Sequence, residues 1–286
     1  MKITRPRFVL TLSCPDQPGI VAAISGCLVG QDCNITDSAQ FGDLESGRFF
    51  MRVSFSAPAA LGSEPIEAAF QPIFERFKMA ARIHDLQTRP RAVILVSRFG
   101  HCLNDLLYRH RIGALPIEIP AIVSNHRDFY QLAASHDIPF HHLPVNSGTR
   151  DRQEGRLLEL IAEEKADFLV LARYMQILSD GLCRQLEGRA INIHHSFLPS
   201  FKGARPYHQA HKRGVKLVGA TAHYVTADLD EGPIIEQEAV RVDHAMSAED
   251  LVAAGRDSES LVLARAVKWH AEHRILVNGN RTVVFR

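Results

Sequence analysis

Charge of one sign is not in excess: 33 Lys and Arg stand against 32 Asp and Glu over 286 residues, a formal net charge of +1. Such balance excludes a general electrostatic binder of nucleic acid or of a membrane surface, and an anionic small substrate would need locally placed basic groups. Cysteine is scarce and odd in number. Cys14, Cys27, Cys33, Cys102 and Cys183 form no CxxC pair, which argues against a disulfide framework and for reduced, buried thiols in a cytoplasm. No uncharged run approaches the ~20 residues needed to span a bilayer. The start, MKITRPRFVLTLSCPDQPG, has basic residues before an apolar stretch, but that stretch is short, is broken by Cys-Pro-Asp and lacks a small-residue cleavage site, so it reads as a strand rather than a leader. Internal repeats and low-complexity segments are missing. The expectation is a cytoplasmic chain with no membrane or nucleic-acid partner, long enough for one large domain or two smaller ones.

What is present is a change of pattern. RFVLTLSC reads as a strand, CPDQPG as a turn, and IVAAISGCLVGQ as a helix opening after Pro18 and Gly19. NITDSAQF and GRFFMRVSF read as two strands, SEPIEAAFQPIFERFKM as a helix capped by Ser63, and ARIHDLQT as a last strand. That order, βαββαβ, is the ferredoxin-like split unit. From about Pro90 onward, near-continuous apolar strands (AVILVS, IEIPAIVSN, IPFHHLPV, ADFLVLA) alternate with helical segments (HCLNDLLYRHR, HRDFYQLAASHD, RQEGRLLELIAEEK). The alternation predicts a doubly wound, mostly parallel, Rossmann-like sheet covered on both faces. The chain is thus α/β, with domains expected at residues 1–88 and 89–286.

The segment INIHHSFLPSFKGARPYHQA (191–210) carries the conspicuous chemistry. It falls at the carboxyl end of a central strand, where open α/β sheets bind ligands. Strand alternation puts Asn192 and His194 on one side and His195 on the other, so the double histidine is a poor chelating pair. With no HExxH and no CxxC to complete a set, no metal site is expected. Asn192 and His194 together could instead donate hydrogen bonds to a developing oxyanion. A histidine kept charged for that task needs a nearby carboxylate. Asp230, in the turn of HYVTADLDEGPIIEQ, is a candidate, although on spacing alone it reads as a solvated turn residue.

The long, discontinuous pattern NIHHSFLPSFKGARPYHQA…GVKLVGATAHYVTADLDEGPIIEQ resembles the folate-dependent formyltransferase fold family. There an Asn-x-His and an Asp in a V-T-x-x-x-D-x-G-P loop form the catalytic set, which the resemblance places on Asn192, His194 and Asp230. LARYMQIL (171–178) is similar to the family's folate-pocket segment, where main chain recognises the pterin ring. The resemblance therefore implies substrate contacts from Arg173, Tyr174, Met175, Gln176, Ile177 and Leu178, from Val225 and Thr226 on the opposite wall, and from His195, Ser196 and Gly203. Lys202 and Arg205 are loop cations that a folate glutamate tail could meet. His223 reads as a residue supporting the site or as a satisfied core histidine. His195 could pack, orient the loop, or shape an acceptor site that admits only water.

Within that family, nucleotide-formylating members carry a Gly-Ser-Asn-type loop that cradles a phosphate, whereas here the loop reads VSRFGHCLNDLL with a single glycine. Gly100 stands where the family pattern leads us to expect an acidic residue. Members that formylate tRNA carry a further carboxyl-terminal nucleic-acid-binding domain, and no strong basic excess is seen. The amino-terminal LTLSCPDQPGIVAAISGCLVGQDCNITDSAQ resembles an ACT domain, a regulatory module. That resemblance implies association into a homo-oligomer and an amino-acid effector such as glycine or methionine, held near Asp16, Pro18, Gly19, Asn34 and Asp37. For Asp16, Gln17, Pro18 and Gly19, a purely structural turn that opens the helix is the alternative. An ACT domain followed by this formyl-handling domain implies hydrolysis of 10-formyltetrahydrofolate, as substrate and with no further cofactor, to formate and tetrahydrofolate. Such a reaction would supply formate for purine biosynthesis and balance the one-carbon folate pool. Two alternatives are a formyltransferase acting on a small amine and a non-catalytic amino-acid sensor.

Overall fold

In the computed structural model, which describes residues 5–146, 148–198 and 206–286, the first pattern becomes β1 (Arg7–Pro15), α1 (Ile20–Gly30), β2 (Asn34–Asp43), β3 (Arg48–Ser56), α2 (Ser63–Phe77) and β4 (Ala80–Asp85). Their sheet has the order β2-β3-β1-β4, the arrangement of the ferredoxin-like unit. Period-two alternation sets one face: Phe8 lies opposite Phe55, Leu10 opposite Val53 and Leu12 opposite Met51. Ile20, Ile24 and Leu28 of α1 and Ile66, Phe70 and Phe77 of α2 close over that face, each fully buried side chain contributing about 1.5–3 kcal/mol of transfer free energy. Gly19, at φ +94°, makes the turn into α1 that a side chain would resist. Gly62, not Ser63, is the residue before α2, and Ser63 is its first helical residue with no capping hydrogen bond from a side chain.

The opposite face of β3 carries a charge. Arg52 is only 4% exposed, and a buried guanidinium must find acceptors. It donates to Asp37 Oδ2 at 2.9 Å, to Ser54 Oγ at 3.0 Å and to the carbonyl of His273 at 3.1 Å. The rings of His84 and His273 stack at 3.6 Å, and Asn278 Nδ2 donates to Asp43 Oδ2 at 2.7 Å. Those contacts explain why the first unit comprises Met1–Arg89 together with His273–Asn278 and Val283–Arg286, while the second comprises Pro90–Glu272 and Gly279–Thr282. Most of the chain's last stretch, expected with the second domain, therefore groups with the first.

The second unit runs through β5 (Ala92–Val96), α3 (His101–Arg111), β6 (Ile122–Ser124), α4 (Tyr130–Ala134), β7 (Phe140–His142), α5 (Arg150–Glu163), β8 (Phe168–Leu171), α6 (Asp180–Gln185), β9 (Ala190–His194), α7 (Pro206–Arg213), β10 (Leu217–Tyr224), β11 (Ile234–Arg241) and α8 (Ala248–Ala271). A hairpin of β12 (Ile275–Asn278) and β13 (Arg281–Val284) follows. The seven-stranded sheet has the order β11-β10-β9-β8-β5-β6-β7. Strands β7, β6, β5, β8 and β9 are parallel, whereas β10 runs antiparallel to both β9 and β11. The expected strands at 117–125 and 138–145 shrink to three residues each, because Pro120, Pro139 and Pro144 flank them and offer no N–H to a ladder. The chain winds outward from β5 to β7 and then returns to lay β8 on β5's other side, so the crevice beyond the carboxyl ends of β5 and β8 is the switch point where such sheets hold ligands. Among the described residues, no helix is long and apolar enough to cross a membrane.

Candidate active site

The carboxyl ends of β8 and β9 and the loop after β10 enclose a cavity of about 240 Å³. Its first wall is the loop from Arg173 to Leu178, all six residues of which line it. That loop is pinned through its backbone: Ser97 Oγ accepts from Met175 N at 2.9 Å, Arg150 donates to the Ile177 carbonyl at 2.8 Å, and Glu154 accepts from Ser179 N at 2.8 Å. Met175 and Ile177 remain exposed, an apolar rim suited to the face of a flat heterocycle. Burial, with the Glu154 charge, pushes the Tyr174 phenol up to about 12, so it stays protonated.

The second wall holds the acid–base groups. β10 pairs with β9 so that His223 lies opposite Asn192. His223 Nδ1 is 2.9 Å from the Tyr224 carbonyl, which can only accept, so that nitrogen carries the proton. Its Nε2 then presents a lone pair to Asn192 Nδ2 at 3.2 Å. One N–H of the Asn192 amide is thereby taken, the amide's orientation is fixed, and the other N–H is left for a ligand. Burial holds His223 below its ordinary pKa, against the opposing pull of the Tyr224 carbonyl and the Asp230 charge. His223 is thus a neutral orienting group.

His194 is 5% exposed. Its Nδ1 lies 3.2 Å from Asp230 Oδ1, and its Nε2 is buried with no hydrogen-bond partner among the described residues. Asp230 sits at φ +58°, a conformation that costs a non-glycine residue energy and that functional loops retain. Two residues on, a Cβ added to Gly232 would come within 1.8 Å of the Tyr224 carbonyl oxygen, so only glycine lets the loop fold back and present Asp230. Burial alone would raise the Asp230 carboxyl, but the hydrogen bond from His194 and the His194, His223 and His195 charges outweigh it and hold the group below its ordinary value.

His195 does not turn away from the site as strict alternation requires. β9 ends at His194, alternation ends with it, and both rings line the cavity, their centroids 5.1 Å apart. Ser196 is buried and absent from the cavity lining; its carbonyl accepts from Thr221 Oγ1 at 3.0 Å. Gly203, Lys202 and Arg205 lie outside the described residues. Val225 and Thr226 line the cavity as expected, and Ala227 and Leu229, which the sequence did not single out, line it too. At Gly100 a Cβ would come within 2.3 Å of the Phe129 ring, so a larger, acidic residue there requires that ring to move. In the first unit Asp16, Pro18, Gly19, Asn34 and Asp37 are all exposed, and Asp37 is already paired with Arg52 at 2.9 Å.

Three histidines are held neutral by the fold. Burial, followed by neighbouring positive charge, takes His84 down to about 3 and His195 down to about 4, and burial lowers His223 as well. An unfolded histidine takes up its proton below about 6.5, so between that pH and the folded values the unfolded state binds more protons and stability rises with pH. The carboxylates Asp230 and Glu259, both held low, lose their contribution only at lower pH, as they protonate. The melting temperature should therefore fall steadily from pH 7 to pH 5, and His84→Gln should flatten that slope; a profile flat over this range in the wild-type chain would contradict the three assignments.

An Asn-x-His pair at a parallel strand's end, a carboxylate on that histidine's Nδ1 and a βαββαβ unit fit the pattern of a formyltransferase-fold protein with an ACT-type domain. In agreement, residues 90–267 match the Formyl transferase family and residues 7–84 the ACT domain family. A formyltetrahydrofolate deformylase of Corynebacterium sp. (strain P-1) is 51% identical over 283 residues, 98% of each chain. The crystal structure of a formyltetrahydrofolate deformylase from Burkholderia mallei superposes with a TM-score of 0.94 at 53% identity, covering 98% of this chain and all of that one. A glycinamide ribonucleotide transformylase from Symbiobacterium toebii reaches a TM-score of 0.65 at 30% identity, over 69% of this chain and 95% of its own. The chain belongs to the formyltetrahydrofolate deformylase family, whose members are hydrolases.

Proposed function

We propose that the chain hydrolyses 10-formyltetrahydrofolate in the cytoplasm, giving formate and tetrahydrofolate. The observation that carries the mechanism is the buried Nε2 of His194, unpartnered among the described residues, on the same strand as Asn192, with Asp230 at the Nδ1 of the same ring. The pterin lies along the main chain of Arg173 to Leu178, with Val225 and Thr226 opposite. The formyl oxygen takes the Asn192 N–H and the His194 Nε2–H, and both bonds strengthen as the carbonyl becomes an oxyanion. Asp230 takes a proton from the attacking water and, through its contact with His194 Nδ1, orients that ring. The tetrahedral intermediate then collapses with loss of N10. Neither a metal nor a redox cofactor has a part in this chemistry. The formate would feed purine biosynthesis, and the reaction would balance the one-carbon folate pool.

The first unit would bind an amino acid, glycine or methionine, and join copies of the chain into a homo-oligomer. One assay tests these points: 10-formyltetrahydrofolate with the full chain, following formate and tetrahydrofolate with and without added small amines, and repeated with glycine and with methionine. Stoichiometric formate in the absence of any amine is expected. Turnover that appears only with an amine would replace this reading by acyl transfer.

A further inference from the structure

The mechanism leaves His195 of the cavity wall and the buried carboxylate of Glu259 unused, with the Tyr207 ring placed next to both. His195 lies between two rings, His194 at 5.1 Å and Tyr207 at 6.4 Å, and none of its hydrogen-bonding capacity is taken up by the described residues. Behind it, the Tyr207 hydroxyl donates to Glu259 Oε1 at 2.9 Å. Glu259 is 1% exposed, and its other oxygen takes His101 Nε2 at 2.7 Å and lies 3.2 Å from Arg173 Nε as an ion pair. One turn earlier on α8, a Cβ on Gly255 would stand 2.1 Å from the Tyr207 ring, so Gly255 opens the space in which that ring sits. Residues of α3, α7, α8 and the β8 loop thus converge on one carboxylate and fix the wall behind His195. His101, Cys102 and Glu259 have ligand-type atoms within 4.8 Å of one another. With Arg173 at the same carboxylate oxygen, however, and with burial pushing the Cys102 thiol up, the cluster is built as proton donors around an anion rather than as a cation site.

We propose that His195 is a second catalytic residue of the hydrolysis, holding the attacking water by accepting one of its hydrogens, and that Tyr207 and Glu259 are positioning residues for its ring. The proposal rests on the hydrolytic reading above. A water has two hydrogens to place. Asp230 receives the one that leaves; the other O–H, donated to His195, turns the oxygen lone pair toward the formyl carbon. The new C–O bond forms as the carbonyl pair moves onto the oxygen held by Asn192 and His194. On collapse the C–N10 bond breaks, N10 takes the proton from Asp230, and the O–H that had been donated to His195 leaves as formic acid, which ionises to formate. Only a neutral imidazole can accept in this way. Burial and the Arg173 charge keep His195 in that form down to about pH 4, with the His194 charge acting in the same direction and the Glu259 and Asp230 charges opposing it. His195 and Asp230 both line the same cavity.

The test separates water from the rest of the machinery. Full-length wild type, His195→Phe and His195→Gln are assayed with 10-formyltetrahydrofolate, following formate, and again with added hydroxylamine, a nucleophile that needs no water holder, following the formyl hydroxamate. His195→Phe should lose about 100-fold in kcat for formate, a typical acid–base increment, with KM changed less than about threefold, while hydroxamate formation falls far less. His195→Gln, whose amide oxygen can accept, should recover part of the formate rate. Tyr207→Phe should shift the partition between the two products in the same direction by a smaller factor. Equal losses of both products in His195→Phe, or an unchanged formate rate, would overturn the role of His195, and an unchanged partition in Tyr207→Phe would overturn the positioning role. Failure of the wild-type chain to release formate without an amine would instead remove the hydrolytic reading itself.

Discussion

Asp230→Asn is expected to lower kcat for formate release by about 10³–10⁴, the scale seen when the carboxylate of an Asp–His pair is neutralised without loss of shape. The substitution keeps the volume and the loop but removes two functions at once. The His194 ring loses the charged acceptor 3.2 Å from its Nδ1, and the water loses its base. The pterin wall is unaffected, so KM for the folate should stay within about threefold, because interactions made only in the transition state appear in kcat. Near-wild-type turnover by a folded Asp230→Asn chain would show that the assignment is wrong.

The second large effect belongs to His194. Alanine there removes the ring that lines the cavity and whose buried Nε2 has no partner among the described residues, for which a loss of about 10²–10³ in kcat is expected. It also leaves Asp230 half-buried with His223 Nε2, 3.8 Å away, as its remaining neighbour on that wall. Burial pushes the Asp230 carboxyl up and His194 supplies the largest opposing influence, so the carboxyl should titrate higher in the variant. Residual activity of His194→Ala should accordingly fall off at a higher pH on its acid side than that of wild type. Because Asp230 and His194 act as one unit, the double variant should be only slightly slower than the worse single one. A multiplicative loss would mean that the two residues work separately.

Much of this was legible in the order of residues, and the exceptions have physical causes. The periods of two and 3.6 placed the βαββαβ unit because they reflect which face meets the core, and near-continuous apolar runs placed the parallel strands, which are buried on both faces. The loop Arg173–Leu178, Asn192, His194 and Asp230 were found by spacing and resemblance, and the fold brings them to one cavity. Strand alternation places His195 on the far side from His194, but alternation holds only inside a strand, and β9 ends at His194. The role of His223 depends on β10 lying antiparallel beside β9, a pairing that no local pattern announces. The Glu259 hub was invisible for a similar reason, since its partner His101 is 158 positions away. Another local signal is the capping box of Ser247 and Asp250, with Ser247 Oγ accepting from Asp250 N at 3.1 Å and Asp250 Oδ2 accepting from Ser247 N at 2.8 Å. The S-x-x-D spelling before an apolar run marks the start of α8.

The way the chain's end returns to the first unit bears on how this protein can be recombined. In connectivity the larger unit is an insertion within the smaller one, since Met1–Arg89 is completed by His273–Asn278 and Val283–Arg286. A graft of the first unit onto another enzyme therefore needs two junctions, one near residue 89 and one near residue 273. A single cut at the first junction would strip Arg52 of the His273 carbonyl and His84 of its stacking partner. Chimeras joined once should be less stable than those joined twice.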